Sequence, residues 1–279
     1  MKTSMKTCIG TSVFALAAVL AIGCGDDGPG GSGGTGAVGQ GGNGGTPAQG
    51  GGGAGGGGSA VVYADYDVAP APASVTFTDV CGAGSSHPTF NSNDEGLNTD
   101  ATPIAVPFPF HYYDSTPESI RVSINGWISF SEFLPDSAPR HLLGEVTLPD
   151  ASSPNGAIYA LWEDLRIASP DGLCYGVVGD APNRSFIIEW DKAGFNESGI
   201  QTPLGELTFE IVLNEGDDTI DLVYDTVSVV GAEDRLAAST TGIENEALVG
   251  AEHQATIGTG VTDDPATGTA LRFTPVPAN

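Results

Sequence analysis

The sequence predicts an all-β protein with a single antiparallel β-sandwich domain at residues 60–279. Residues 1–23 are predicted to be an export signal, and residues 24–59 a disordered Gly-rich stalk. Three observations favour the sandwich: apolar residues alternate with period two, turn-forming residues bound each run, and no segment has the pattern of a long amphipathic helix. Many short strands separated by turns are typical of antiparallel sandwiches and barrels.

The N-terminus has the order of a secretory signal. Lys2 and Lys6 precede an apolar run from Cys8 to Ile22, and small residues then lead to Cys24. Ala21-Ile22-Gly23-Cys24 resembles the lipobox of bacterial lipoproteins, which implies cleavage before Cys24 and lipid attachment to it. Two alternatives stay open. Ordinary cleavage would release a soluble protein, and a retained anchor would have to cross the bilayer with fewer than the roughly 20 apolar residues that a spanning helix needs.

The segment after Cys24 predicts a tether to the membrane. Gly25 occupies the position where Asp retains some lipoproteins in the inner membrane, so the resemblance implies an outer-membrane lipoprotein facing the periplasm or the cell exterior. Residues 25–59 are mostly Gly with small polar residues, a composition that buries too little apolar surface to fold. As a flexible coil, this stretch would span roughly 30 to 35 Å.

The charge of the chain excludes one class of partner. The formal net charge is -26, and removal of the signal takes away two lysines and no acid, which leaves -28. Nucleic-acid binding needs a basic surface that displaces counterions, so no nucleic-acid partner is expected. The expected partners are the membrane, through the lipid on Cys24, and a protein or glycan that the sequence does not identify.

The clearest strand signal is "LTFEIVL" at residues 207–213, with Leu207 and the alternate residues after it on one face. Thr208, Glu210 and Val212 lie on the other face, and we expect only the first face to be buried. "NEGDD" supplies turn residues before "TIDLVYD", which predicts a hairpin. Similar bounded runs predict the remaining strands: "SIRVSI", "GWISF", "AIYALW", "SFIIEW" and "ALRFTP".

A series of motifs between Thr102 and Phe273 resembles an extracellular β-sandwich module of bacterial surface proteins, similar to nidogen-type domains. The motifs follow one another in order: Pro107–Phe110, Ile124–Phe130, Leu161–Leu165, Ile188–Trp190, Phe209–Gly216 and Thr241–Asn245. The resemblance implies an extracellular adhesive or scaffolding role, and it brings no catalytic residues to this chain. From the residues themselves, Asn125-Gly126 predicts a tight turn, and Trp162 and Trp190 are expected to be core aromatics.

The sequence does not predict an enzyme. Metalloprotease and phosphate-loop motifs are absent from it, and the glycine patterns of the stalk do not follow a strand or open a helix, as a nucleophile elbow or a dinucleotide site requires. Glu163 and Asp164 are adjacent, so on a strand they would face opposite sides, and we expect them to be solvated. The four histidines have no ligand spacing: His87, His111, His141 and His253. The alternative is a carbohydrate-acting hydrolase with loop carboxylates, which would need a cleft holding two carboxylates roughly 5 to 9.5 Å apart.

Two further sites are predicted. Cys81 and Cys174 remain once Cys8 leaves with the signal and Cys24 carries lipid, and an exported domain lies in an oxidising compartment, so we expect a disulfide between them. Calcium is a possible ligand of two acidic loops. The candidate ligands are Asn93, Asp94, Glu95 and Asp100, and the second loop is Gly260–Gly268. Solvated turns explain the same residues, and no other cofactor is expected.

Overall fold

The computed structural model describes residues 61–82, 85–90, 103–132, 134 and 146–279. The predictions for the export signal, for the lipidation of Cys24 and for the Gly-rich stalk lie outside these residues. None of the helices in the described ranges is long and apolar enough to cross a membrane. One short helix, α1 (Glu233–Ala237), is the only α-helix among the described residues, in keeping with the all-β prediction.

The first sheet has seven antiparallel strands within the described part of the chain. Along the sheet their order is β1-β15-β10-β9-β8-β6, and β7 also pairs with β8. The strands are β1 (Tyr63–Pro70), β6 (Leu165–Ile167), β7 (Leu173–Val178), β8 (Ser185–Phe195), β9 (Leu204–Asn214), β10 (Ile220–Ser228) and β15 (Thr269–Pro277). The predicted hairpin is confirmed as β9 and β10, with Leu213 opposite Ile220.

The second sheet has six strands in the described ranges, in the order β14-β11-β5-β4-β3-β2. They are β2 (Ile104–Ala105), β3 (Ser119–Ser123), β4 (Trp127–Ser129), β5 (Ala157–Trp162), β11 (Thr240–Glu244) and β14 (Gly258–Val261). A separate small hairpin is formed by β12 (Ala247–Val249) and β13 (Glu252–Gln254). All five shorter runs that the sequence indicated as strands correspond to β3, β4, β5, β8 and β15.

The main core consists of the facing side chains of the two sheets. Trp190 of β8 stacks on Phe209 of β9 with ring centroids 5.0 Å apart. Its indole Nε1 donates to the carbonyl oxygens of Ser123 and Ile124 at 3.2 and 3.1 Å, and these two residues end β3 and begin the next turn. The prediction that Trp190 is a core aromatic is therefore confirmed, and its indole also joins the two sheets through hydrogen bonds.

Both sheets also carry a small apolar cluster on their outer faces. Trp162, also correctly predicted to be buried, stacks on Tyr159 beside Trp127 outside the six-stranded sheet. Outside the seven-stranded sheet, Val212 packs with side chains of residues 75–80. The expectation that strand 207–213 buries only one face is wrong, because this distant segment covers its second face.

The turn from β3 to β4 contains the Asn125-Gly126 pair, as predicted. Gly126 has φ 79°, which L side chains rarely adopt. Its carbonyl oxygen accepts hydrogen bonds from the amides of Ala160 and Leu161 at 3.0 and 3.2 Å, so the turn lies directly against β5. A Cβ atom built at Gly126 would overlap the Leu161 carbonyl. Both the conformation and the close backbone approach therefore require glycine here.

The predicted disulfide is confirmed. Cys81 and Cys174 are bonded, with Cα atoms 5.2 Å apart and a sequence separation of 93 residues. Cys174 lies on β7 directly opposite Glu189 of β8. The bond therefore attaches residues that follow β1 to the outer face of the seven-stranded sheet.

Candidate functional site

A cavity of about 490 Å³ lies where β3 begins and β4 ends. Four carboxylate side chains line it: Asp114, Glu118, Glu132 and Glu246. Glu246 is half-buried and the other three are exposed. None of the described lining residues is Lys or Arg. Because clefts lined by charge of one sign focus the electric field, this acidic cavity favours a ligand with a positively charged group.

A tight turn at Tyr112–Ser115 forms one side of the acidic cavity. The amides of Tyr112 and Ser115 each donate to the other's carbonyl oxygen at 3.0 Å, and the Ser115 hydroxyl also donates to the Tyr112 carbonyl at 2.8 Å. Tyr113 has φ 52° at the bend. This closed turn places Asp114 at its tip, on the edge of the cavity.

Aromatic rings form the inner part of the cavity lining. Tyr112 and Phe130 are in contact, with ring centroids 4.6 Å apart, and both are buried. The Tyr112 hydroxyl donates to the carbonyl oxygens of Ala157 and Glu244 at 2.8 and 2.9 Å. Burial raises the pKa of Tyr112 well above its usual range, so this ring stays neutral and adds no charge to the site.

Glu246 is held in place by two neighbours from distant parts of the chain. The Ser131 hydroxyl donates to its Oε1 at 2.6 Å, and Nδ1 of His253 lies 3.5 Å from the same oxygen. The hairpin β12–β13 starts one residue later and exposes Leu248 and Val249. The cavity thus combines one positioned carboxylate with the buried aromatic rings of its lining, an arrangement suited to binding.

The prediction of a calcium site in the first acidic loop is not tested by the described residues and stays a prediction. Asn93, Asp94, Glu95 and Asp100 lie outside the described residues. In the second candidate loop, Gly260–Gly268, both aspartates are exposed. Among the residues that the structure describes, no group of three or more His, Cys, Asp or Glu is placed to hold a metal ion.

The prediction that Glu163 is solvated is wrong. Glu163 is 3 % exposed, and its Oε1 accepts from Nε of Arg235 at 2.8 Å. Arg235 lies on α1 and also donates to the Asp164 carbonyl oxygen at 3.0 Å. Burial raises the pKa of Glu163, and the hydrogen bond from Arg235 opposes that shift. This pair of acids therefore joins α1 to the turn between β5 and β6.

Neither the acidic cavity nor the contact of His253 with Glu246 is apparent from the sequence. The cavity lining comes from segments more than 100 residues apart, and the contact between Ser131 and Glu246 spans 115 positions. The sequence pattern does not distinguish His253 from the other scattered histidines. His111 instead contacts Asp218, with Nδ1 2.9 Å from Oδ2, and His141 lies outside the described residues.

Comparison with known proteins places this fold in a family. The family model described as NIDO related matches residues 65–275, which covers the six-stranded sheet, the acidic cavity and all but the outer ends of β1 and β15 in the seven-stranded sheet. No curated protein and no solved structure matched. The match confirms the nidogen-like resemblance, and together with the disulfide it indicates an extracellular or envelope protein. The chain therefore belongs to the NIDO-related family.

Proposed function

We propose that this protein is a lipid-anchored, non-enzymatic binding module of the bacterial cell envelope, displayed on a flexible stalk. The observation that carries the proposal is the NIDO-related match over residues 65–275, because a domain of this family over most of the chain favours an extracellular binding-type module. The sequence before it supplies the anchor, with a signal, a lipobox-like tetrapeptide ending at Cys24 and a Gly-rich stalk. We propose an outer-membrane location for the protein, because Gly25 and not the retention residue Asp follows Cys24.

The anchor is tested by substitution of Cys24. We expect Cys24→Ala to move the protein from the membrane fraction to the soluble fraction, because Cys24 is the proposed attachment site of the acyl chains that hold the protein on the membrane. Mass spectrometry of the native N-terminus should show a lipid-modified Cys24. The matched control is Cys8→Ala, which changes the other N-terminal cysteine and should leave the protein in the membrane fraction. A Cys24→Ala protein that stays in the membrane at the wild-type level would contradict the proposal.

We propose the acidic cavity as the recognition site of the module. Its carboxylates and its aromatic inner surface suit a protein or glycan group that carries a positive charge on an apolar or sugar framework. Glu246 is the carboxylate to test, since Ser131 and His253 already hold it in place. A positioned carboxylate loses little conformational freedom when a ligand binds.

A pair of sugars that differ in charge tests this recognition site. We expect glucosamine oligomers, which carry free amines, to bind more tightly than N-acetylglucosamine oligomers of the same length in titration calorimetry. Glu246→Gln should weaken the binding of the amine form by about tenfold or more, because a charge-assisted hydrogen bond contributes roughly 1.5 to 3 kcal/mol.

The control for this titration is Glu252→Gln. Glu252 is exposed on β13 and does not line the cavity, and its substitution removes the same charge as Glu246→Gln. Equal losses in both variants would show that general charge and not the cavity attracts the amine. Cleavage of either oligomer would contradict the non-enzymatic assignment and support the alternative, a hydrolase with loop carboxylates.

A further inference from the structure

An extended segment crosses the outer face of the seven-stranded sheet without joining it as a strand. We call residues 71–81 the strap. Its side chains Val75, Phe77 and Val80 pack with Ile187 and neighbouring apolar residues of the sheet. At one end, the Ala71 amide donates to the Ala270 carbonyl at 2.9 Å, and at the other Cys81 is bonded to Cys174. Both ends of the strap are therefore fixed, and its middle is not part of the β-ladder.

Two glutamates of the sheet lie directly beneath the strap. Glu189 of β8 and Glu210 of β9 are cross-strand partners and are 1 % and 0 % exposed. Oε2 of Glu189 accepts from the amides of Val80 and Cys81 at 2.6 and 3.1 Å. Oε1 of Glu210 accepts from the Thr78 amide at 3.1 Å. The strap amides thus use the carboxyl groups as their partners in place of a neighbouring strand.

The second oxygen of Glu210 has no partner. Its Oε2 is buried and accepts no hydrogen bond in the described structure. An ionised carboxylate that is sealed from water and incompletely hydrogen-bonded is costly, whereas a protonated carboxyl is tolerated much better. With the strap closed, burial therefore favours the neutral form of Glu210 over the ionised form.

The charged groups around the pair are mostly acidic. Asp79 of the strap and Asp191 of β8 act on Glu189, and Asp225 of β10 acts on Glu210 together with Asp79 and Glu189. The nearby cations bind other acids. Lys192 binds Asp191, and Arg272 makes hydrogen bonds of 2.7 Å to each carboxylate oxygen of Asp221.

These surroundings raise the pKa of both glutamates. Burial is the largest cause, and the net effect of all causes raises the pKa of Glu189 from 4.5 to about 7 and that of Glu210 from 4.5 to about 8. The strap amides oppose the shift, while the neighbouring acids add to it. Because the two carboxyls are coupled, the pair is best described as holding at least one proton near neutral pH.

We propose that the strap is a pH-controlled cover over the outer face of the seven-stranded sheet, closed while the Glu189–Glu210 pair holds a proton and lifted when both carboxyls ionise. Cavities of about 300 and 390 Å³ are lined by strap residues and give the middle of the strap room to move. Lifting exposes Ile187, Val212 and Val223. The disulfide keeps the strap attached throughout.

The direction of the pH effect follows from proton binding. With the strap lifted, water reaches both carboxyls and their pKa returns toward 4.5, so the closed form binds more protons than the open one. Closure is therefore most stable below about pH 4.5. The closed form becomes less stable as pH rises, and this loss levels off above about pH 8. Between these limits, each carboxyl increases the equilibrium constant for opening roughly tenfold per pH unit.

Hydrogen–deuterium exchange on the purified full chain tests this cover. After correction for intrinsic exchange, we expect protection of the Thr78, Val80 and Cys81 amides to fall at least tenfold from pH 5 to pH 8 and then to level off. Protection of β9 amides such as Ile211 should not change, which separates lifting of the strap from global unfolding. Strap protection that is constant from pH 5 to pH 9 would overturn the proposal.

The variant that isolates the carboxyl is Glu210→Gln, which keeps the shape of the side chain and cannot ionise. In this variant, we expect the fall in protection of the strap amides between pH 5 and pH 8 to be smaller than in the wild type by about tenfold or more. Glu206→Gln is the matched control, because Glu206 is exposed on the same strand, and it should keep the wild-type profile. An unaltered profile in Glu210→Gln would overturn the proposal. If that variant does not fold, the wild-type profile decides alone.

Discussion

Gly126→Ala is expected to destabilise the domain by on the order of 3 to 5 kcal/mol. Part of this loss comes from the φ of 79°, which costs an L side chain roughly 1 to 2 kcal/mol. The larger part comes from the overlap between the new Cβ and the Leu161 carbonyl, which forces β5 away from the turn. Chemical denaturation followed by tryptophan fluorescence measures the change.

Gly199→Ala is the matched control for this experiment. Gly199 has a similar φ of 83°, but a Cβ there has no atom within 4 Å. Gly199→Ala is therefore destabilised only by the unfavourable φ. The difference in the free energy of unfolding between the two variants is the cost of displacing β5. Equal destabilisation in both variants would show that the close approach of Gly126 to Leu161 contributes nothing.

Removal of the disulfide has a comparable expected effect. The double substitution Cys81→Ala and Cys174→Ala opens a loop closed over 93 positions. In the chain-entropy model, this costs about 4 to 5 kcal/mol and lowers Tm by roughly 10 to 18 °C for a domain of this size. Differential scanning calorimetry gives the shift directly.

Adding a reductant to the wild-type protein is the control for the double variant, because it breaks the same bond without changing the side chains. The wild-type protein should lose a similar amount of thermal stability when the bond is reduced, whereas the double variant should not respond to reductant. An unchanged Tm in the double variant would mean that the strap and the sheet hold together without the bond. The strap should also lose exchange protection in this variant, because Cys81 is one of its two fixed ends.

The strands were predictable where a local pattern carried the information. In β9 and β10 the alternation of apolar residues is strong enough to give both the hairpin and the inward face. The Asn125-Gly126 turn was predictable for the same reason, since few residues other than glycine adopt its φ. The pairing of Cys81 with Cys174 followed from the small number of cysteines and from the expected compartment.

The errors share one physical cause, which is contact between segments that are far apart in sequence. Glu210 lies on the face of β9 that alternation assigns to solvent, yet the strap, more than 120 residues earlier, covers it. The position of Glu163 next to Asp164 predicts a solvent-exposed side chain, but Arg235, 72 positions later, binds it. Periodicity reports which side of a strand faces the sandwich core, but it carries no information about what covers the other side.

The pairing of β1 with β15 has a consequence for engineering. Tyr63 lies opposite Pro277, and the Ala278 amide donates to the Val62 carbonyl at 3.0 Å, so the folded module begins and ends at the same place. A domain with neighbouring ends can be spliced into a surface loop of a host protein through short linkers without stretching the host. The same closeness allows the two ends to be joined and new ones to be opened in an exposed loop, which makes the module a candidate for circular permutation.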